Sequence, residues 1–225
     1  MSALYLIRHG QAGSLDDYDK LSETGRAQSR LLGAYLAGQQ IRFAAAYSGS
    51  LRRQIETAEE VRRACAGMPE VTVDPRWNEF DGEGVYRGIA PQLAAEDPEF
   101  RRQLAEVRSE DRNWTACGMA LVEAWIEGRY EFEGESWAAF LGRIRGALEA
   151  LRKRPGGEAV AVFTSATPMA IVAAMALGVT DGTIMKLAGV TFNTAMTTLR
   201  VQPNDLTLFL FNGVAHLTPE LRTFL

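Results

Sequence analysis

The stretch Leu4-Tyr5-Leu6-Ile7-Arg8-His9-Gly10-Gln11 decides how the rest of this 225-residue chain is read. An unbroken apolar run passes straight into an arginine, a histidine and a glycine. A run this short predicts a core strand over residues 3–8. The polar pair then falls at the strand's C-terminal end, the edge where open α/β sheets place their ligands. The chain has only one other histidine, His216, near its C-terminus.

Working outward from that strand, strands and helices alternate. A loop carrying Asp16, Asp17 and Asp19 leads to Ser22, a predicted N-cap, and then to the helical stripe Leu31, Leu32, Tyr35, Leu36. Residues 43–47 predict a second strand, 51–66 a second helix, and 71–73 a short strand before Pro75. The middle reads as helical and is broken by Pro91, Pro98 and residues 128–134.

Residues 159–180 hold no charge and are long enough to span a bilayer, but Thr164-Ser165-Ala166-Thr167-Pro168 interrupts them. They read as a buried strand, a turn, and a buried helix stopped by Gly178, with Thr167 as N-cap and Pro168 at the first helical position. Residues 191–202 and 206–211 predict a late hairpin around Pro203-Asn204-Asp205. The expected architecture is an α/β three-layer sandwich: a mostly parallel sheet, helices on both faces, and an antiparallel edge strand. One domain over 1–225 is expected, with a mainly helical insertion at about 86–153.

A net charge of −4, with no run of Lys and Arg, argues against a nucleic-acid surface. Any anion site must be a local basic pocket. Cys65 and Cys117, isolated and without CxxC spacing, read as reduced thiols, and scattered histidines and cysteines argue against a metal site. The chain enters its first strand without a signal-peptide pattern, so a cytoplasmic, non-membrane protein is expected. Self-association as a homodimer is left open by the sequence.

The run Leu4 to Gln11 resembles the Arg-His-Gly signature of the histidine phosphatase superfamily, the phosphoglycerate mutase-like proteins. Leu21-Ser-Glu-Thr-Gly25-Arg-Ala-Gln28 is similar to that family's next segment. Tyr47-Ser-Gly-Ser-Leu-Arg-Arg-Gln-Ile-Glu-Thr-Ala58 resembles its Ser-Ser-Pro-Leu-x-Arg-Ala-x-x-Thr-Ala element, which aligns Arg53 with the phosphate-binding arginine. Trp77-Asn-Glu79-Phe-Asp-Gly-Glu-Gly84 resembles the segment that supplies the acidic proton donor, here Glu79. Asn212-Gly-Val-Ala-His216-Leu resembles a common C-terminal element.

The resemblance implies a phosphatase that hydrolyses a small phosphomonoester through a phosphohistidine at His9, without cofactor or metal. The residue types suit that chemistry. Arg8 and Arg53 offer fixed forks of charged donors to phosphoryl oxygens, with Gln11 as a further ligand. Neighbouring positive charge should keep His9 unprotonated and nucleophilic. Gly10 lets backbone and ligand approach closely. Glu79, when protonated, can act as general acid. Arg53 pairing along its helix with Glu56 or Glu60, and His216 as a structural histidine, are the plainer readings of those residues.

One departure matters. The family carries a second histidine in a Ser-His-Gly-Gly turn after a later strand, and Ser165 stands in its place here, with Ala166 and Thr167 replacing the glycines. Ser165, Thr164 and Thr167 could donate hydrogen bonds to a phosphate, and the following helix N-terminus could add backbone N–H groups. The alternative is a catalytically degenerate member that binds a phosphorylated ligand or protein without turnover.

Overall fold

The computed structural model describes residues 2–13, 17–106, 116–154, 157–203 and 205–224. Asp16, Asn204 and residues 107–115 of the expected insertion lie outside that description. Among the described residues six strands form one sheet: β1 (Ser2–Arg8), β2 (Phe43–Ser48), β3 (Val71–Val73), β4 (Ala159–Thr164), β5 (Met196–Gln202) and β6 (Asp205–Gly213). The helices are α1 (Glu23–Gly38), α2 (Arg52–Ala64), α3 (Gly82–Glu96), α4 (Pro98–Glu106), α5 (Ala116–Ile126), α6 (Trp137–Arg152), α7 (Ala166–Leu177) and α8 (Asp181–Gly189).

The sheet order is β3-β2-β4-β1-β5-β6. The first four in that order run parallel to their neighbours, and β5 and β6 are antiparallel additions. This is the α/β fold expected, with the late hairpin at the edge. β1 and β4 are adjacent inner strands, and their register sets Ile7 beside Phe163 and Arg8 beside Thr164. Arg8-His9 and Thr164-Ser165 therefore emerge at the same sheet edge.

Strand alternation decides which side chains meet which helices. Ile7, Ala46, Ala161 and Phe163 bury against Leu32 and Leu36 of α1 and Ala58 and Val61 of α2. Their alternate neighbours Leu4, Leu6, Val160 and Val162 are buried as well. α7, apolar all round, packs against β1 and β6 and is almost wholly buried over its first two turns. The uncharged stretch is thus split between β4 and α7, and no helix among the described residues is long and apolar enough to cross a membrane.

Residues cluster into two compact units, Met1–Glu79 with Arg143–Leu225, and Phe80–Gly142. The first holds the sheet and every candidate site residue. The second is helical and is centred on Phe80, Trp125, Trp137 and Phe140, whose rings meet in edge-to-face and tilted pairs.

Candidate active site

At the C-terminal end of β1 the backbone of His9 is fixed on both sides. Its N–H donates to Thr164 O at 2.9 Å, and its carbonyl accepts from Thr194 N at 3.2 Å and Asn193 Nδ2 at 3.3 Å. Thr194 adopts a left-handed backbone, φ 55°, a conformation that costs a β-branched residue about 1–3 kcal/mol. That strain aims its N–H at the candidate nucleophile.

The residue after His9 explains two glycines at once. Gly10 N donates to Thr57 Oγ1 of α2 at 2.9 Å, while a Cβ on Gly10 would lie 2.6 Å from Gly25 O. A Cβ on Gly25 would lie 2.2 Å from Gln11 O. The backbone that Gly10 admits is therefore that of α1's first turn, a different neighbour from the ligand expected of it.

His9 is 4% exposed, and its ring is assigned by its neighbours. Nδ1 lies 2.8 Å from Gly10 O, which can only accept, so Nδ1 carries the proton. Nε2 is then unprotonated and accepts from Arg53 Nε at 3.3 Å. Burial first, then the charges of Arg53 and Arg8, hold the imidazole well below its ordinary 6.5.

Arg53, in the first turn of α2, reaches His9 and does not turn back along its own helix. Its Nη1 meets Asp19 Oδ1 at 2.6 Å, and its guanidinium lies 5.4 Å from the Tyr18 ring centroid. Glu56 pairs instead with the exposed Arg52 and with Arg26, each at 2.8 Å. Arg8 is 8% exposed; its Nη1 donates to Thr191 O, and its Nε has no hydrogen-bond partner among the described residues. Burial lowers Arg8 to about 10, with the charge of Glu79 opposing that shift, so it remains a cation at neutral pH.

Glu79 follows a 3₁₀ turn, Pro75–Trp77, built around the fully buried Trp77. Asn78 is clamped to Ser50 through both ends of its amide, and Arg143 donates to the carbonyls of Arg76 and Asn78. So anchored, Glu79 accepts from the backbone N–H of Thr167 at 3.1 Å. α7 begins at Ala166 with Ser165 as N-cap, which corrects the expected start at Thr167-Pro168. Pro168 sits in the first turn, where its missing N–H costs no helical bond. Of the expected N-terminal donors, the Thr167 N–H is thus taken by a carboxylate.

The remaining expectations divide. Thr164 is fully buried and donates its hydroxyl to Trp77 O, which turns it away from a ligand. Gln11 accepts at Oε1 from Ser22 Oγ at 2.7 Å, so that oxygen fastens the N-cap of α1 and only its amide N–H groups could reach a phosphate. His216 lies behind the site: Nε2 is 2.9 Å from Thr194 Oγ1, Nδ1 is buried with no partner among the described residues, and burial lowers the imidazole to about 4. Ser165 is 1% exposed, and its Oγ accepts from Gln54 Nε2 at 2.8 Å.

Several residues in this arrangement are not singled out by sequence reasoning. Thr57, Asn193 and Thr194 hold the His9-Gly10 backbone. Behind them Thr223 donates to Asn193 Oδ1, and Gln28 links Thr223 to Gln11 N. Only the Asp-rich loop gave a signal, through Asp19, and no local pattern marks Gln54.

The structure thus brings two arginines, a buried histidine and an anchored carboxylate together at the C-terminal edge of the sheet. The chain matches the model of the histidine phosphatase superfamily (branch 1) over residues 4–213, and it belongs to that family. It is similar to phosphoserine phosphatase 1 of Hydrogenobacter thermophilus, 31% identical over 193 residues that cover 80% of this chain and 78% of that one. The serine/threonine-protein phosphatase Pgam5 of Caenorhabditis briggsae is 24% identical over 148 residues, 60% of this chain, which spans about half of that relative (52%). Among solved structures, Bacillus stearothermophilus YhfR shares the fold at a TM-score of 0.69 and 21% identity, covering 96% of this chain and 99% of that one.

Proposed function

We propose that this chain hydrolyses a small phosphomonoester through a phosphohistidine intermediate at His9. The observation that carries this reading is the pairing of an unprotonated, buried His9 Nε2 with the guanidinium of Arg53 at 3.3 Å. A nucleophilic nitrogen and a cation lie side by side, and the lone pair that accepts from Arg53 Nε is freed for phosphorus when the guanidinium turns to the phosphoryl oxygens.

In the first half-reaction Nε2 attacks phosphorus while Nδ1–H stays on Gly10 O. The bond from phosphorus to the ester oxygen breaks, and the departing oxygen takes a proton from Glu79. Arg53 and the unpartnered Nε of Arg8 neutralise charge on the phosphoryl oxygens. In the second half-reaction a water attacks the phosphohistidine, gives its proton to Glu79, and frees His9 and inorganic phosphate. The named phosphatases among its relatives support phosphoric monoester hydrolysis as the reaction class; phosphoserine-sized substrates are the first to test.

The test is turnover of 4-nitrophenyl phosphate and O-phosphoserine by the native protein and by His9→Ala. Activity that vanishes in His9→Ala while inorganic phosphate still binds supports the mechanism. Equal activity in both proteins overturns it. Phosphate binding without any turnover by the native protein would favour the degenerate reading, for which the replaced second histidine is the specific observation.

A further inference from the structure

We propose that Gln54 is a positioning residue that holds the Ser165 hydroxyl as a hydrogen-bond donor to the phosphoryl group, so that the Gln54–Ser165 pair serves as a neutral substitute for the second histidine. This rests on the hydrolase reading above. Gln54 is the residue after Arg53, and it is fully buried. All of its amide is engaged: Oε1 accepts from Leu51 N at 3.3 Å, and Nε2 donates to Ser165 Oγ at 2.8 Å and to Trp77 O at 3.3 Å.

The direction of the Gln54–Ser165 bond is fixed by its partners. Oε1 faces a backbone N–H and must accept, so the other end of the amide is the NH₂ group and must donate. Ser165 Oγ is therefore an acceptor toward Gln54. Its own hydrogen has no acceptor among the described residues, although Ser165 is 1% exposed. A buried hydroxyl with an unspent proton is costly unless a ligand completes it.

Its place at the site follows from the backbone on either side. Thr164 O holds His9 N, and Thr167 N holds the Glu79 carboxylate. Ser165 thus lies between the attachment points of the nucleophile and the candidate acid.

Three departures from the resembled family elements converge here. Gln54 stands where alanine follows the arginine, Ser165 where the histidine belongs, and Gly49 where the element has a serine. A Cβ on Gly49 would lie 2.0 Å from Gln54 Oε1, so the glycine makes room for the glutamine. The long neutral amide and the short hydroxyl together fill one buried location, and an imidazole at 165 in the same rotamer would run into the Gln54 amide.

The test is a double-mutant cycle with Ser165→Ala and Gln54→Met, with kcat and KM measured on 4-nitrophenyl phosphate beside the His9→Ala control. Losing one preorganised donor should lower kcat by about 10²-fold in either single variant, with KM little changed. The double variant should fall no further than the worse single, because Gln54 acts through Ser165. Multiplying losses, or an unchanged kcat in either single variant, would overturn the inference. A purely structural Gln54 would lower the melting temperature and leave kcat per folded molecule intact, which overturns it as well.

Gln54→Ala supplies the same cycle if Gln54→Met fails to fold, and it allows an independent comparison. Ser165→His should raise kcat in the Gln54→Ala background and not beside the native glutamine. A gain beside the native Gln54 would contradict the proposed filling of that space. If His9→Ala retains native activity, the hydrolase reading itself fails. If only the cycle fails, that reading stands and Gln54 has no positioning role.

Discussion

The Asp19 carboxylate meets the Arg53 guanidinium at 2.6 Å, on the same side chain whose Nε bonds His9, the proposed nucleophile. Asp19 Oδ1 already takes one N–H of Arg53 Nη1 and offsets part of the charge that a phosphoryl oxygen would meet there. Asp19 is half exposed, so the pair is worth at most about 1 kcal/mol after solvent screening. Asp19→Asn should therefore tighten inhibition by inorganic phosphate up to about fivefold. Weaker inhibition in that variant would mean that Asp19 helps to place Arg53 and does not compete for it.

His9 must be neutral to attack, and its pKa is held below 6.5 by burial and then by Arg53 and Arg8. Activity should accordingly persist as pH falls through 6.5 and disappear only at lower pH, where His9 takes up its second proton. Arg53→Gln removes one of the depressing charges, so the acidic limb of kcat/KM should move to higher pH while the maximum falls. An acidic limb that stays fixed in Arg53→Gln would show that it belongs to another group.

Glu79 is assigned to the leaving oxygen, where the demand for a proton depends on the leaving group. Glu79→Gln should lower kcat by about 10²–10⁴-fold for an alkyl phosphate such as phosphoserine. The loss on 4-nitrophenyl phosphate, whose phenolate departs unaided, should be much smaller. Equal losses on both substrates would assign Glu79 to binding alone.

Gly25, in the first turn of α1, packs directly on the backbone of Gln11 just beyond β1. The 2.2 Å approach of an added Cβ to Gln11 O forces one backbone to move, and Gly25→Ala should cost about 3 kcal/mol in urea unfolding. A loss below about 1 kcal/mol would mean that the Gln11 backbone yields easily.

What the sequence made legible follows from how local each signal is. β1 announced itself because an apolar run ends abruptly in charge, and β4-turn-α7 because Thr164 to Pro168 interrupts an uncharged stretch. The α7 start was misplaced, since Thr167-Pro168 satisfies the same capping rules as Ser165-Ala166 and only the fold chooses between them. Arg53 is distinguished from Arg52 by the resemblance to the family's Ser-Ser-Pro-Leu-x-Arg-Ala element, not by any local pattern of its own. The contact of Gln54 with Ser165 crosses 111 residues, so their separate departures from the family elements do not by themselves show that the two side chains meet. The missing side chain of Gly10 also makes room for Gly25, a neighbour that a linear pattern does not supply.

The central claim is a covalent phosphoryl group on His9, and trapping it is the most direct measurement. The native protein would be mixed with excess 4-nitrophenyl phosphate, quenched in alkali within one turnover, digested, and mapped by mass spectrometry. A phosphoryl adduct is expected on the peptide that holds His9, absent from His9→Ala, formed and lost at rates that support turnover. A competent adduct on Ser165, or full turnover with no adduct on His9, would contradict it.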